Sequence, residues 1–139
     1  GTPAEDFNYI TIDGHPGSLY ALKADYTLIY FNNPGCKMCG EIRKDLLASK
    51  QITDLVRNGR MVILGVYPDE DTDLFQAYKE DIPPTWINAR DPGCVINGSE
   101  LYDLKAIPSL YLLDRDKNVI LKDCTDVRIL DAKLSAQRQ

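Results

Sequence analysis

The sequence predicts an α/β fold in which helices flank a central mixed β-sheet. Two continuous apolar runs rich in β-forming residues, YTLIYFN (26–32) and MVILGVY (61–67), are typical of strands covered on both faces. Apolar residues at helical spacing follow each run, and this alternation indicates a sheet with flanking helices. Two strand-like runs near the end of the chain, separated by the turn DRDKN, predict a hairpin before a last helix.

The elements of the first half follow from periodicity and from turn residues. Alternating apolar and polar side chains predict an edge strand, and Gly and Pro predict the turn after it. Ile42, Leu46 and Leu47 lie at helical spacing, and Gly59 is a typical stop signal for the next helix. The predicted elements are an edge strand at 7–12, a turn at 13–17, a strand at 26–32, helices at 36–49 and 52–58, and a strand at 61–67.

The second half is predicted in the same way. The loop PDEDTD is acidic but lacks the spacing of a calcium-binding loop, so we expect it to be solvated. Pro83 and Pro84 exclude a helix at their position, and Ser99 is a suitable helix cap. The predicted elements are helices at 74–79 and 99–104, a strand at 85–90, hairpin strands at 109–114 and 119–123, and a last helix at 126–136.

Length and charge exclude several classes of protein. A chain of 139 residues is expected to form one domain with its own core. No apolar run approaches the roughly 20 residues of a membrane-spanning helix. The net charge of −5 is spread along the chain and Lys and Arg form no cluster, which makes nucleic acid a poor candidate partner. We expect residues 1–6 to be a disordered tail or a remnant of cloning, and residues 7–139 to be the folded domain.

The pair Cys36 and Cys39 is the motif that carries chemistry. The two cysteines lie three residues apart where a strand gives way to a helix, and they are candidates for a redox couple, half of a zinc site or a structural disulfide. A zinc site would need Cys94 and Cys124 as its second pair, but these are 30 residues apart and lack the paired spacing. The strand-to-helix position favours a redox couple.

The position of each cysteine predicts its role. Free backbone N–H groups and the positive end of the helix dipole stabilise a thiolate at Cys36, so we expect it to be the attacking thiol, weakly assisted by Lys37. Cys39 lies one turn further along the same face, where it reaches Cys36 but sees less of the dipole. We therefore expect Cys39 to resolve the mixed disulfide that Cys36 forms.

Two segments resemble a known family. YTLIYFNNPGCKMCGEIRKDLL and AIPSLYLLDRDKNVILKD are similar to the thioredoxin fold, in particular to bacterial thiol-disulfide oxidoreductases of the TlpA and ResA type. The segment ITIDGHPGSLYALKAD resembles the N-terminal hairpin of that branch, and residues 67–102 resemble its central insertion. The resemblance implies a thioredoxin-like three-layer α/β/α sandwich with a central mixed sheet, a β-hairpin at the N-terminus and a central insertion.

The resemblance also implies site residues, partners and a location. Pro108 is expected to be a cis-proline facing the cysteines, with Ile107 offering backbone groups to an extended substrate and Lys37 and Met38 adding substrate contacts. The implied partners are protein thiols and disulfides and an upstream thiol that donates electrons. We expect no cofactor and no metal, a monomer, and a periplasmic or cell-envelope location. The segment GTPAEDF has no features of a signal peptide, so we expect any targeting segment to lie outside this sequence.

The chain departs from the family pattern around the motif. Gly35 stands where the family commonly has Trp, and Met38 stands where Pro is frequent. Tyr30 and Ile42 occupy the two positions where the family often keeps an acid. Cys39 is therefore expected to lack a nearby proton acceptor and to deprotonate near or above the free-thiol pKa of about 8.5.

Some alternatives remain open at the level of sequence. The chain could instead be a non-catalytic thioredoxin-like interaction module of a larger envelope protein, with a structural disulfide between Cys36 and Cys39. Cys94 and Cys124 could form a second disulfide or remain free thiols. We expect Trp86 to pack in the core and His15 to be solvated in its turn.

Overall fold

The computed structural model describes residues 1–98 and 101–138. Within those residues, seven strands form one mixed sheet, flanked by five α-helices and two short 3₁₀ turns. The strands are β1 (Asn8–Thr11), β2 (Pro16–Ser18), β3 (Tyr26–Phe31), β4 (Met61–Tyr67), β5 (Ile87–Arg90), β6 (Ser109–Leu113) and β7 (Val119–Cys124). The helices are α1 (Lys37–Ala48), α2 (Lys50–Arg57), α3 (Thr72–Ala77), α4 (Val95–Gly98) and α5 (Val127–Gln137), and the 3₁₀ turns are Leu19–Ala21 and Lys79–Asp81.

The sheet has the order β2-β1-β5-β4-β3-β6-β7, which places β3 and β4 near its centre. The pairs β3–β4 and β4–β5 are parallel, whereas the other neighbouring pairs are antiparallel. The predicted mixed sheet, the N-terminal hairpin of β1 and β2, and the C-terminal hairpin of β6 and β7 are all present. The predicted fold class is confirmed.

A hydrophobic core lies on each face of the sheet, and β3 contributes to both. Leu28 and Tyr30 pack with α1, α2 and α5 on one face. Ile29 and Phe31 point to the other face, where they pack with α4 and the first residues of the chain. Side chains alternate between faces along a strand, so a strand covered on both sides is apolar throughout. This explains why the run at 26–32 shows no polar alternation.

The insertion between β4 and β5 differs in detail from the prediction. The helix expected at 74–79 begins earlier, at Thr72, because the carboxylate of Asp71 accepts a hydrogen bond from the backbone N–H of Leu74 and caps it. The helix expected at 99–104 is not found at residues 101–104, and its predicted cap, Ser99, lies outside the described residues. The helical turn α4 forms before it instead, where Asp91 accepts a hydrogen bond from the backbone N–H of Ile96 at 2.8 Å.

Residues 1–6, expected to be a disordered tail, contact the folded domain in this structure. The backbone N–H of Ala4 donates to the Lys117 carbonyl at 2.9 Å, and the carbonyl of Thr2 accepts from Val119 at 2.8 Å. Ala4 is itself buried, and the hydroxyl of Tyr102 donates to the Glu5 carbonyl at 2.6 Å. These contacts pair the segment with the β6–β7 hairpin, a long-range contact that its local sequence does not indicate. The domain boundary at residue 7 stays a prediction.

Among the described residues, none of the helices has the length and apolar character that crossing a bilayer requires.

Candidate active site

The candidate site lies at the C-terminal end of β3, where the chain turns into α1. Gly35 has a φ of +73°, a left-handed conformation that glycine adopts without steric cost. The turn is closed by a hydrogen bond from the backbone N–H of Cys36 to the carbonyl of Asn33 at 3.3 Å. Cys36 therefore becomes the N-cap residue of α1. Sites of open α/β sheets commonly lie at this edge.

Cys36 uses its sulfur as the helix cap. Its Sγ accepts a hydrogen bond from the backbone N–H of Cys39 at 3.2 Å, and its backbone is extended, with φ −78° and ψ 123°. A cap position aims the free N–H groups of the first turn, and the positive end of the helix dipole, at the capping atom. Both cysteines are present as free thiols, and Cys36 is half-buried. This arrangement favours negative charge on the Cys36 sulfur.

Cys39 is in a different environment, because its side chain is only 1% exposed. Burial raises the pKa of its thiol from about 9 to about 12, and a hydrogen bond with the Cys36 sulfur acts in the same direction. The backbone of Asn33 and the positive charge of Arg43 oppose these effects. Cys39 therefore keeps its proton at neutral pH, as the sequence predicted for a thiol without a nearby acid.

Tyr30 occupies the place behind Cys39 where the family often has an acid. Its hydroxyl donates to the backbone carbonyl of Cys39 at 2.5 Å, and its ring packs edge-on against Trp86 at a centroid distance of 5.8 Å. Burial raises the pKa of the Tyr30 phenol, so the group is neutral and ties β3 to α1. Ile42 is buried and Glu41 is exposed, in agreement with the predicted faces of the helix. Trp86 is part of the core, as predicted.

The second predicted segment reaches the same edge of the sheet. Ser109, the first residue of β6, pairs with Phe31, the last residue of β3. The residues just before β6 are therefore neighbours of the residues just after β3. The Ile107–Pro108 bond is cis, Pro108 is buried, and Ile107 packs against the same core cluster as Cys36.

The two remaining predicted contact residues lie on the surface of the first turn of α1. Lys37 is exposed, and Met38 is 59% exposed. All six residues predicted from the sequence therefore lie at one edge of the sheet. Their roles stay predictions, since geometry alone does not establish turnover.

Two residues of the site were missed by the sequence analysis. Arg43 lies one turn after Cys39 on α1, so the helical spacing of four residues was a usable signal for it. Tyr78 comes from the insertion, and its phenol ring lies beside Gly35. Nothing in the local sequence relates Tyr78 to the motif, because α2, β4 and α3 lie between them in the chain.

The other two cysteines, Cys94 and Cys124, are also free thiols. Cys94 follows β5 and Cys124 ends β7, and these two strands are separated in the sheet by four strand spacings of about 4.8 Å each. A disulfide requires Cα atoms no more than about 7 Å apart, so this geometry excludes their pairing. His15 is exposed in its turn, and the described part of the chain contains no cluster of ligands that could hold a metal ion.

Comparison with solved structures gives close matches to this fold. A thioredoxin-like protein from Bacteroides caccae superposes with a TM-score of 0.92 at 41% identity, over 97% of this chain and 49% of that one. The C-terminal domain of an uncharacterized protein from Bacteroides fragilis has a TM-score of 0.90 at 40% identity, with 96% of both chains covered. The chain thus spans about half of the first protein and nearly all of the second domain.

More distant structures share the fold at lower identity. The thioredoxin domain of a thiol-disulfide oxidoreductase from Bacteroides vulgatus has a TM-score of 0.78 at 22% identity, over 98% of this chain and 96% of that one. No protein-family model matches the chain, and comparison with curated protein sequences gives no match.

Proposed function

The chain has the thioredoxin-like fold, and we propose that it is a thiol-disulfide oxidoreductase that uses Cys36 and Cys39 as a dithiol–disulfide couple. The observation that carries the proposal is the unequal environment of the two thiols. The Cys36 sulfur caps α1 and accepts a backbone hydrogen bond, whereas the Cys39 thiol is buried and has a raised pKa. A two-step exchange requires one thiol that attacks the substrate first as a thiolate and a second thiol that attacks the mixed disulfide after it has lost its proton.

In the first step, the thiolate of Cys36 attacks one sulfur of a substrate disulfide. A bond forms between the Cys36 Sγ and that sulfur, the substrate S–S bond breaks, and the other substrate sulfur leaves as a thiolate that takes up a proton. The substrate is now held by a mixed disulfide to Cys36. Ile107 lies at the same edge, so its backbone groups are available to an extended substrate segment, while Lys37 and Met38 form the exposed surface around the sulfur.

In the second step, Cys39 loses its proton to water and attacks the Cys36 Sγ. The intramolecular Cys36–Cys39 disulfide forms, the mixed disulfide breaks, and the second substrate thiolate leaves and is protonated. Two electrons have passed from the dithiol to the substrate. An upstream thiol donor must then reduce the new disulfide by the same exchange in reverse.

The proposal includes a finer assignment. We assign the chain to the TlpA and ResA type and place it in the bacterial cell envelope, with protein disulfides as substrates. The N-terminal hairpin of β1 and β2 and the insertion between β4 and β5 support this type.

Trapping tests the roles of the two cysteines. The Cys39→Ser variant should accumulate a mixed disulfide with an oxidised peptide, because the first step proceeds and the second does not. The Cys36→Ser variant should accumulate none, and Cys94→Ser, which changes a thiol outside the site, should turn over like the unmodified protein. The adducts are measured by mass spectrometry after acid quenching. Trapping by Cys36→Ser instead would reverse the assignment.

A second measurement distinguishes a redox-active cysteine pair from a structural disulfide. The reduced protein is equilibrated with mixtures of reduced and oxidised glutathione, and the Cys36–Cys39 disulfide is quantified. A single transition between dithiol and disulfide within the accessible range supports the couple and gives its potential. A disulfide that resists all reductant mixtures would support the non-catalytic module.

A further inference from the structure

Tyr78 places an aromatic ring beside the loop that precedes Cys36. The Cζ and Oη atoms of its phenol group lie 3.4 Å from the position that a Cβ atom on Gly35 would occupy. Gly35 has no side chain there, and its φ of +73° disfavours one. Tyr78, which belongs to the insertion between β4 and β5, therefore borders the space beside Gly35, the residue before Cys36.

Two hydrogen bonds fix the backbone of Tyr78. Its N–H donates to the carbonyl of Leu74 at 3.3 Å at the end of α3, and its carbonyl accepts from the N–H of Asp81 at 3.0 Å in the 3₁₀ turn that follows. The side chain is nevertheless 42% exposed. A tyrosine held in this way offers a large contact area with only two rotatable side-chain bonds to restrict on binding.

Side chains from three segments lie at the sheet edge that carries Cys36. Tyr78 lies on the side of Gly35, Met38 is 59% exposed on the first turn of α1, and Ile107 is half-buried just before β6. A substrate disulfide that reaches the Cys36 sulfur must bring its flanking residues close to these groups.

We propose that Tyr78 is a specificity-determining residue that packs against an apolar side chain next to the cysteine of a polypeptide substrate. This role rests on the proposed function, because it concerns the step in which Cys36 attacks. The occupant of the surface is an extended peptide segment with an aromatic or large aliphatic residue beside its cysteine. The ring should not accelerate the reaction of small disulfides that lack such a residue.

The test uses the Cys39→Ser background, so that only formation of the mixed disulfide is measured. In that step the Cys36 thiolate bonds to one substrate sulfur, and the other substrate sulfur leaves as a thiolate. Two oxidised peptides are compared that differ only in whether Phe or Gly adjoins the cysteine. Tyr78→Ala should lower the rate constant for the Phe peptide about tenfold, since burial of about 50 Å² of apolar surface is lost. The rate constant for the Gly peptide should change less than about twofold, because that contact is absent.

Two controls accompany the measurement. Tyr78→Phe keeps the ring and should retain the preference for the Phe peptide. Tyr20→Ala removes a tyrosine of the same 42% exposure in the N-terminal part of the chain, and it should leave both rate constants unchanged.

The outcomes separate this inference from the proposed function. A protein with Tyr78 intact that reacts with neither peptide would overturn the proposed function. If the protein reacts with both peptides, and Tyr78→Ala slows both reactions equally or slows neither, then only the role of Tyr78 is overturned. Equal slowing would show that Tyr78 supports the loop at Gly35 rather than contacting the substrate.

Discussion

The two thiols of the CxxC motif differ in their surroundings. Cys36 lies at the helix N-terminus with its sulfur accepting a hydrogen bond, while Cys39 is enclosed by β3 and the core. Burial penalises the charged form of a group without a full set of compensating hydrogen bonds, and this raises the pKa of Cys39 to about 12. Arg43 opposes the effect without reversing it. The second step of the exchange should therefore be limited by deprotonation of Cys39.

The raised pKa of Cys39 predicts the pH dependence of turnover. A thiol with a raised pKa is protonated below that pKa, so its thiolate fraction grows about tenfold for each unit of pH between 7 and 9. Release of the substrate should grow with pH in the same proportion, whereas formation of the mixed disulfide, which does not need the Cys39 thiolate, should depend on pH less steeply. Burial, the largest cause of the shift, persists when Cys36 is in the mixed disulfide.

Rapid-mixing kinetics measure the two steps separately. Formation is followed in the Cys39→Ser variant, and release is followed in the unmodified protein after a single turnover. A release rate that levels off near neutral pH would contradict the prediction and would mean that another group accepts the proton of Cys39. Glu41→Gln is then the first variant to examine, although Glu41 is exposed.

A hydrogen bond of Tyr30 links β3 and α1 into one structural unit. The strand ends at the sheet edge, the five-residue loop turns at Gly35, and the Tyr30 hydroxyl joins the strand to the carbonyl of Cys39 in the helix. The same strand pairs with β6 so that Ile107 and Pro108 come to this edge. The position of the site thus depends on strand register as well as on the motif.

Tyr30→Phe tests the link between strand and helix. The substitution removes a buried hydrogen bond, and we expect the free energy of unfolding to fall by about 1 kcal/mol. Tyr26→Phe is the matched control, because Tyr26 lies on the same face of β3 and its hydroxyl bonds to no group within the described ranges. Urea unfolding curves of both variants measure the difference. Equal losses, or no loss in Tyr30→Phe, would show that the hydroxyl adds nothing to the stability of the unit.

The first residues of the chain complete the hydrophobic core on the face of the sheet opposite α1, the second core of the domain. They cover Phe7 and Tyr102 and pair with the β6–β7 hairpin through backbone hydrogen bonds. The ring of Tyr102 contacts Phe7, Phe31 and Tyr111, so the segment closes an aromatic cluster that reaches the central strand. This face lies on the opposite side of the sheet from the helix that carries the cysteines.

Removal of residues 1–5 should therefore destabilise the domain. We expect the free energy of unfolding to fall by about 2 kcal/mol, since several hydrogen bonds worth about 1 kcal/mol each are lost and part of this is offset by the chain entropy regained. Thermal and urea unfolding of the shortened and full chains measure the effect. An unchanged stability would show that the segment is the disordered tail that the sequence predicts.

The exchange kinetics of the shortened chain provide a control. The segment and the cysteines lie on opposite faces of the sheet, so the rate of mixed-disulfide formation should stay the same at temperatures where both chains are folded. A slower reaction would show that the second core supports the site across the sheet.

The local sequence was sufficient for the central strands and for the motif, but not for the helix predicted at 99–104. The runs at 26–32 and 61–67 are apolar throughout because both faces of the sheet are covered, and continuous burial leaves a direct signal in composition. The roles proposed for Cys36 and Cys39 follow from their order at a helix N-terminus. The resemblance to the family shows that Tyr30 and Ile42 stand where an acid is frequent, and the raised pKa of Cys39 agrees with the expectation drawn from it.

Which distant segments meet at the site and at the core opposite α1 depends on the three-dimensional fold. Tyr78 lies beside Gly35, and residues 2–4 pair with the β6–β7 hairpin, although no local sequence pattern predicts either contact. Periodicity reports which face of an element is buried, but it does not report what covers that face. Cys94 and Cys124 do not form a disulfide because the order of strands in the sheet keeps them apart, and this order is also a tertiary property. Contacts between remote residues arise from that order, which no short stretch of the chain contains.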